Sequence, residues 1–483
     1  MSDIKNLEPK LVWEQFDAIT QVPRPSKKEE KIREFLVDFA RRHKIECRTD
    51  ATGNVVMRVP ATAGYEERPC VILQSHMDMV CEKNSDVAFD FEKDPIRTRI
   101  VDGWVKAEGT TLGADDGIGM AAALAAMIDP ELQHGPLEAL FTIDEETGLT
   151  GAFGLGEGML TGKYLINLDS EDEGEIFIGC AGGVDTLATF RYVSEEAPAG
   201  AVFYKVRVSD LSGGHSGDDI DKGKMNSNKL VARLLWNASE RFGIRLSRFD
   251  GGNLRNAIPR EAYAVFAVPA DQKGAFESFY GEFAAALEGE AKFREPNFRI
   301  ALTEAESAPV IDAQTQRRLL YAIVGVPNGV IEMSLAMPGL VETSTNLASV
   351  KFEGDDRIVV TTSQRSSVES AKTYVMQMVE SVFALAGAEV VHSEGYPGWA
   401  PDPQSKLLAV TVASYEKLFG KQPKVRAIHA GLECGLFLEK YPDLEMVSFG
   451  PTLRGVHSPD ERLEIATVPK FWDLMAEILK TVR

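Results

Sequence analysis

The chain has few cysteines, and their spacing excludes a disulfide framework. Only five occur in 483 residues, the number is odd, and no two of them form a CxxC pair. Isolated thiols of this kind are usually small buried side chains that stay reduced. The pattern therefore favours a cytoplasmic protein over a secreted one that is stabilised by disulfides.

The chain also lacks a long apolar run and an excess of basic residues. The richest apolar stretch, residues 119–128, is too short to cross a bilayer. The first five residues carry no basic-then-apolar pattern, so we expect no secretion signal. The 52 basic residues stand against 73 acidic ones, which gives a net charge of −21. Such a charge repels nucleic acids and anionic membranes, so we expect neither as a partner.

The first part of the chain has the pattern of an α/β fold. Apolar runs typical of buried strands cover residues 54–59, 70–73, 137–143 and 164–168, and a helical pattern covers residues 118–128. Two amphipathic helical patterns precede them between residues 9 and 43, and Ser26 is expected to cap the second. Alternating strands and helices predict a sheet that is covered by helices on both faces.

The pattern changes after residue 185. Strands with one exposed face are predicted at 201–208, 262–268, 298–303 and 357–362, and helices at 227–242, 273–287 and 367–385. The α/β pattern resumes at residue 389. We therefore predict a catalytic domain made of residues 1–185 and 389–483, interrupted by an inserted α+β domain of residues 186–388.

Two histidines and three carboxylates form a candidate set of metal ligands, and three of them, His76, Glu146 and Asp169, follow predicted strands. The set is His76, Asp115, Glu146, Asp169 and His457. Ligand sites in open α/β sheets lie beyond the carboxyl ends of strands. Imidazole and carboxylate together suit Zn²⁺, Mn²⁺ or Co²⁺, and two such ions need this number of ligands if one carboxylate bridges them. Each residue also has an ordinary alternative, such as a core histidine, a helix cap or a solvated turn.

Two further acids lie beside this set. Asp78 comes two residues after His76, so in an extended segment both side chains point the same way and Asp78 can accept the free ring N–H. Glu145 precedes Glu146 and is available to accept a proton from an activated water. We place the bridge at Asp115 rather than Asp116, which opens the following helix. The acids at positions 171, 172, 173 and 175 are alternatives to Asp169 that we interpret as surface residues.

The inserted domain offers weaker candidates. His215 lies in a glycine-rich loop and could donate to an oxyanion if the domains close, or it could be a surface histidine. Arg365 follows a predicted strand and could pair with a substrate carboxylate, or it could be a surface charge. His429 is the least certain of the remaining histidines, which we interpret as structural.

Taken together, these motifs resemble those of the co-catalytic zinc aminoacylase/carboxypeptidase superfamily. Within it, the sequences around residues 110–115, 213–217 and 253–260 are similar to those of the bacterial aminoacyl-histidine dipeptidases, also called Xaa-His or cytosol non-specific dipeptidases. The resemblance covers essentially the whole chain. It implies a zinc-peptidase-type catalytic domain with a mixed sheet and an inserted lid domain, which often forms a homodimer in relatives.

The resemblance also implies roles for individual residues. One metal would be held by His76, Asp115 and Asp169, and the other by Asp115, Glu146 and His457. Asp78 would orient His76, Glu145 would be the general acid/base, and the peptide bond between Asp115 and Asp116 would be cis. His215, Arg365 and Asn256 would contact the substrate.

The implied function is hydrolysis of dipeptides with a free C-terminal carboxylate, such as β-Ala-His, by a metal-bound hydroxide. An N-acyl amino acid deacylase would use the same ligands and remains an alternative. A binding protein that kept the scaffold is a second alternative, against which the complete ligand set argues.

Overall fold

The structure is a computed structural model that describes residues 4–483. Residues 1–3, which begin the segment that we searched for a secretion signal, lie outside the described residues. The strands are β1 Glu46–Thr49, β2 Val55–Val59, β3 Val71–His76, β4 Thr98–Val101, β5 Trp104–Ala107, β6 Leu137–Thr142, β7 Tyr164–Asn167, β8 Glu175–Cys180, β9 Gly182–Arg191, β10 Ser194–Glu195, β11 Val202–Ser209, β12 Gly214–His215, β13 Arg245–Gly251, β14 Ala257–Ile258, β15 Ala262–Val268, β16 Arg299–Glu304, β17 Val310–Ile311, β18 Gly329–Met333, β19 Val341–Glu353, β20 Arg357–Ser366, β21 Glu389–His392, β22 Lys424–Ile428, β23 Glu445–Ser448, β24 Leu453–Arg454 and β25 Arg462–Glu464. The α-helices are α1 Lys10–Thr20, α2 Glu30–His43, α3 Ala114–Ile128, α4 Glu145–Gly148, α5 Thr150–Gly154, α6 Ser227–Phe242, α7 Lys273–Ala291, α8 Ala313–Gly325, α9 Glu369–Leu385, α10 Lys406–Phe419, α11 Cys434–Lys440 and α12 Val468–Thr481.

The chain divides into two compact units. The first unit contains the residues up to Gly179 together with Pro401–Ala427 and Glu433–Arg483, and the second contains Cys180–Ala400 and Ile428–Leu432. The predicted fold class, an α/β fold with an inserted α+β part, is confirmed. The predicted role of the insertion as a lid stays a prediction. No helix within residues 4–483 is long and apolar enough to span a bilayer.

A mixed sheet organises the first unit, in the order β1-β2-β6-β3-β7-β23-β8-β22. Strand β3 lies parallel to β6 and β7, and β23 continues the parallel set, whereas β1, β2 and β8 run antiparallel to their neighbours. Every residue of β3, β6 and β7 is buried, as expected for parallel strands that are covered on both faces. Their carboxyl ends meet at one edge of the sheet, where polar residues of the next loops converge.

The second unit is built on an antiparallel sheet with the strand order β16-β11-β15-β13-β19-β20-β9-β21. The inward side chains of these strands share one hydrophobic core with apolar residues of helices α6 to α9. A small two-stranded pair, β12 with β14, lies outside this sheet.

Two local predictions were wrong. Ser26 does not cap a helix: α2 begins at Glu30, and the Ser26 hydroxyl donates to Oδ2 of Asp78 at 2.8 Å. Arg365 does not follow a strand, because β20 continues to Ser366. In both cases a contact with a distant part of the chain takes precedence over the local pattern.

Candidate metal centre

The five predicted ligands come together at the carboxyl edge of the mixed sheet in the first unit. His76 is the last residue of β3 and is 1% exposed. Glu146 follows the end of β6, and Asp169 lies two residues beyond the end of β7. Asp115 lies at the start of α3, and His457 lies in the loop between β24 and β25 with a φ of 60°. Three strand ends, the start of one helix and one distant loop therefore bring the ligand atoms to one place.

The carboxylate of Asp115 lies between the two histidines. Its Oδ1 is 3.1 Å from Nε2 of His76, and its Oδ2 is 3.2 Å from Nε2 of His457. His76 Nε2 also lies 3.6 Å from Oδ1 of Asp169, and His457 Nε2 lies 3.0 Å from Oε2 of Glu146. Each oxygen of Asp115 thus faces a different imidazole–carboxylate pair, which is the arrangement that a bridging ligand requires.

The residues present fit two divalent cations. The ligand atoms of His76, Asp115 and Asp169 lie within 4.8 Å of one another, and so do those of Asp115, Glu146 and His457. Oε1 of Glu146 is buried and has no hydrogen-bond partner. An orphaned carboxylate oxygen in such a place is costly unless a cation or another partner satisfies it. The mixture of imidazole and carboxylate donors is one that Zn²⁺, Mn²⁺ and Co²⁺ accept.

The electrostatics also favour a positively charged occupant. Burial lowers the pKa of His76, but Asp169 and Asp115 outweigh it and raise that pKa well above its usual value. Hydrogen bonds to Asp115 and Glu146 raise the pKa of His457 to about 11. Burial raises the pKa of Asp169, and the negative charge of Asp115 adds to the effect. Burial opposes ionisation of Asp115, but hydrogen bonds from His457 and His76 outweigh it and lower the pKa of Asp115. The carboxylates of the cluster thus favour positive charge at their centre.

Asp78 supports both sides of the centre. It is fully buried, and its Oδ1 accepts from Nδ1 of His76 at 3.2 Å and from the backbone N–H of Glu145 at 3.0 Å. Its Oδ2 accepts from Ser26 at 2.8 Å and from the N–H of Glu146 at 3.3 Å. One carboxylate therefore orients an imidazole ligand and also fixes the turn that carries Glu145 and Glu146.

Glu145 and Asp116 lie beside the ligands. A carboxylate oxygen of Glu145 lies within 4.8 Å of ligand atoms of His76 and Glu146. Burial raises the pKa of Glu145, and the negative charges of its neighbours add to this. Asp116 Oδ1 accepts from the N–H of Gly119 at 3.0 Å, as a residue on the helix side of the pair should. The peptide bond between Asp115 and Asp116 is cis, which confirms that prediction.

Two of the predicted substrate residues lie side by side in the second unit. His215 pairs with Ala257 across β12 and β14, so this segment is not the free glycine loop that we expected. The exposed residue Asn256 accepts from the N–H of Ser216 at 2.8 Å through its backbone carbonyl. Nδ1 of His215 accepts from the N–H groups of residues 217 and 218 at 3.3 and 3.2 Å. Its proton must therefore be on Nε2, which leaves that nitrogen as a donor.

Arg365 is buried in the second unit and is not a surface charge. Its side chain is 7% exposed, its Nη1 donates to the Tyr396 hydroxyl at 3.0 Å, and its Nε has no partner. His429, which we interpreted as structural, is also buried: Nε2 lies 2.7 Å from the Ser344 hydroxyl, and Nδ1 has no partner. The Nε of Arg365 is thus a buried donor on a cationic side chain, and it has no partner. A donor of this kind needs an explanation, and an anionic ligand would provide one.

Sequence patterns missed three buried charged residues near the centre. Arg24 donates to backbone carbonyls of residues 77, 78 and 113. Glu461 accepts from four consecutive backbone N–H groups, those of residues 112–115. Glu433 accepts from Gln74 and Thr142. Their partners are far away along the chain, so no local pattern could have found them.

The prediction that Glu175 is a surface acid was wrong. Glu175 is 8% exposed and pairs with Arg426.

Comparisons with known proteins agree with this geometry. The model of peptidase family M20/M25/M40 matches residues 72–481. The chain is 44% identical over 483 residues to the cytosol non-specific dipeptidase of Escherichia coli (strain K12), covering 100% of this chain and 99% of that protein. It is 44% identical to the aminoacylhistidine dipeptidase from Vibrio alginolyticus, whose crystal structure matches with a TM-score of 0.95 over 100% of this chain and 98% of that chain. Aminopeptidase PepT from Bacillus cereus ATCC 10987 shares the fold, with 17% identity, a TM-score of 0.57 and coverage of 98% of both chains.

Proposed function

This chain belongs to peptidase family M20/M25/M40, and we propose that it hydrolyses dipeptides with a free C-terminal carboxylate at a centre of two divalent cations. The observation that carries the proposal is the position of Asp115, whose two oxygens each face a separate histidine and carboxylate. Aminoacyl-histidine dipeptides such as β-Ala-His are the first substrates to test, because the relative from Vibrio alginolyticus is named for them.

The ligands divide into two groups that share Asp115. His76 and Asp169 would complete one metal site, and Glu146 and His457 would complete the other. Two such cations would supply a water of lowered pKa and polarise the scissile carbonyl. Zn²⁺ is the first candidate, and Mn²⁺ and Co²⁺ suit the same donors.

Glu145 moves the proton in this proposal. Its carboxylate lies beside His76 and Glu146 without being needed as a ligand. It accepts the proton of the attacking water and donates it to the amine that leaves. Asp78 is a positioning residue, because it acts through His76 and through the backbone of the Glu145–Glu146 turn.

We propose that residues of the second unit bind the substrate. Arg365 would pair with the C-terminal carboxylate, a role that its buried and unpartnered Nε supports. His215 would donate from Nε2 to the developing oxyanion, since its Nδ1 already accepts two N–H groups. Asn256 would contact the peptide. A homodimer formed through the second unit and a cytoplasmic location are also proposals, which light scattering and cell fractionation would test.

Hydrolysis of matched substrates tests the function. We expect the metal-loaded protein to cleave β-Ala-His and Gly-Leu, and to cleave Gly-Leu amide at least tenfold more slowly, since an ion pair to the carboxylate contributes more than about 1.4 kcal/mol. N-acetyl-leucine keeps the carboxylate but lacks the free amino group of a dipeptide, so a dipeptidase should cleave it more slowly than Gly-Leu. The rate with a tripeptide shows how strictly the site selects substrates of two residues. Both full-length relatives described above are named dipeptidases, which favours this function over a deacylase. Faster turnover of N-acetyl-leucine than of Gly-Leu would reverse that conclusion.

A further inference from the structure

Two buried charges that do not face the cations fix the backbone of the bridging aspartate, and we propose that Glu461 and Arg24 are positioning residues for Asp115. Both lie in the first unit with the ligands. The inference rests on the proposed two-metal function and assigns it two further residues.

Glu461 binds the turn that leads into Asp115. Its Oε2 accepts from the N–H groups of Leu112 and Gly113 at 2.7 and 3.0 Å, and its Oε1 accepts from those of Ala114 and Asp115 at 2.7 and 3.3 Å. The backbone of Asp115 and Asp116 is not helical, so these four N–H groups precede the regular turns of α3. Buried backbone N–H groups need acceptors, and Glu461 supplies them from a distant segment of the chain.

The same residue connects Asp115 to a second ligand. Glu461 lies four residues after His457, and its side chain is 2% exposed. The backbone between them makes a tight turn, in which the N–H of Glu461 donates to the carbonyl of Ser458. The distance between Asp115 and His457 is therefore set by a short linkage through the buried Glu461 carboxylate rather than by the exposed His457 side chain alone.

Arg24 makes the corresponding connection to His76. Its guanidinium donates to the carbonyls of Met77 and Asp78, directly after His76, and to the carbonyl of Gly113. Gly113 has a φ of 68°, and a Cβ there would lie 2.7 Å from Nη2 of Arg24, so only glycine leaves room for this contact. Arg24 is 2% exposed, and the charges of Asp78 and Glu461 compensate its own.

The two linkages give different predictions for the two metal sites. Glu461 connects Asp115 with His457, so the Glu461→Gln variant should weaken mainly the site that contains His457. The glutamine amide turns one pair of acceptors into donors, and two of the four N–H groups lose their partner. Arg24→Lys keeps the charge but loses the planar fork, so it should weaken mainly the site that contains His76. Loss of an orienting group of this kind typically lowers metal affinity about 10- to 100-fold.

Metal titration of the full chain tests the inference. Apo protein made by chelation is titrated with Co²⁺, followed by visible absorption and calorimetry, and the His457→Ala variant identifies which binding step belongs to that site. Asp460→Asn removes an exposed carboxylate next to Glu461 and is the matched control. We expect Glu461→Gln to lower the affinity of the His457 step about 10- to 100-fold, with excess metal restoring kcat, and the control to match the wild type.

Three results would separate the possible failures. Variant isotherms equal to the wild type, even with a lower melting temperature of the apo protein, would show a merely structural role and overturn the inference. Equal weakening of both steps in Glu461→Gln would also overturn it. A wild-type protein that binds no metal would instead overturn the proposed function. If Glu461→Gln does not fold, the Glu461→Asp variant takes its place, because its side chain is one methylene shorter and withdraws the oxygens from the turn. The inference then requires the same loss of metal affinity in the binding step of the His457 site.

Discussion

Replacing Asp78 by Asn should damage the centre although the substitution removes no proposed ligand. The Asp78 carboxylate accepts four hydrogen bonds, two on each oxygen, in a fully buried position. Asparagine keeps one acceptor oxygen, so two donors lose their partner. At about 1.5 kcal/mol for each hydrogen bond to a charged group, the loss is about 3 kcal/mol, or about 100-fold in an equilibrium constant.

This loss of free energy should appear in metal binding, because the hydrogen bonds of Asp78 orient His76 and fix the turn of Glu145 and Glu146. Metal affinity is measured by competition with a chelator, and kcat/KM is measured at saturating metal. The control is Asp86→Asn, which changes an exposed aspartate eight residues further along the chain. We expect about 10- to 100-fold weaker metal binding for Asp78→Asn and no change for the control. Equal affinity in both variants would refute the assignment of Asp78 as a positioning residue.

Three further predictions concern the proton, the carboxylate and the buried histidine. Glu145→Gln should keep both cations but lose about 10²- to 10⁴-fold in kcat, and near-normal turnover would rule out its role in proton transfer. Arg365→Met should lower kcat/KM for Gly-Leu by about tenfold or more and leave Gly-Leu amide nearly unchanged, whereas an equal effect on both substrates would exclude an ion pair with the carboxylate. Burial lowers the pKa of His429 to about 3, below about 6.5 for an unfolded imidazole, so the unfolded state binds more protons between these values. Its contribution to stability is therefore complete above about pH 6.5 and is lost as the pH falls towards 3. The melting temperature should fall more between pH 7 and pH 5 in the wild type than in His429→Gln, and equal falls would contradict this account.

The sequence predicted elements well where the signals are local. Helix α6 was expected at residues 227–242 and spans them, because Asn226 caps its first turn and Gly243, with a φ of 61°, ends it. Strand β15 likewise matches its apolar pattern from residue 262 to residue 268. The helix cap at Ser26 failed because its hydroxyl binds Asp78, 52 residues away.

In the candidate metal centre, too, the residues in local motifs were predicted and those held by distant contacts were not. Its ligands could be predicted because each stands in a short motif, and because three of them, His76, Glu146 and Asp169, lie at or just beyond the end of a strand, where ligand sites of such sheets form. Arg24 and Glu461 could not be predicted, because their partners are backbone groups about 89 and 346 residues away. Nearly every residue carries the same backbone groups, so the sequence does not show which of them a side chain binds. His215 was expected in a free glycine loop but lies in the pair of β12 with β14, and only the contacts of its Nδ1 with the N–H groups of residues 217 and 218 show that Nε2 can donate.

Metal content measured together with activity tests the central claim most directly. Purified protein is stripped with a chelator, and Zn²⁺ is added back while bound metal and hydrolysis of β-Ala-His are followed for the wild type and for Asp115→Ala. We predict two equivalents of metal for each wild-type chain, activity that requires the metal, and loss of both metal sites and of activity in Asp115→Ala. Undiminished hydrolysis after exhaustive chelation, or two equivalents still bound tightly by Asp115→Ala, would contradict a centre bridged by that carboxylate.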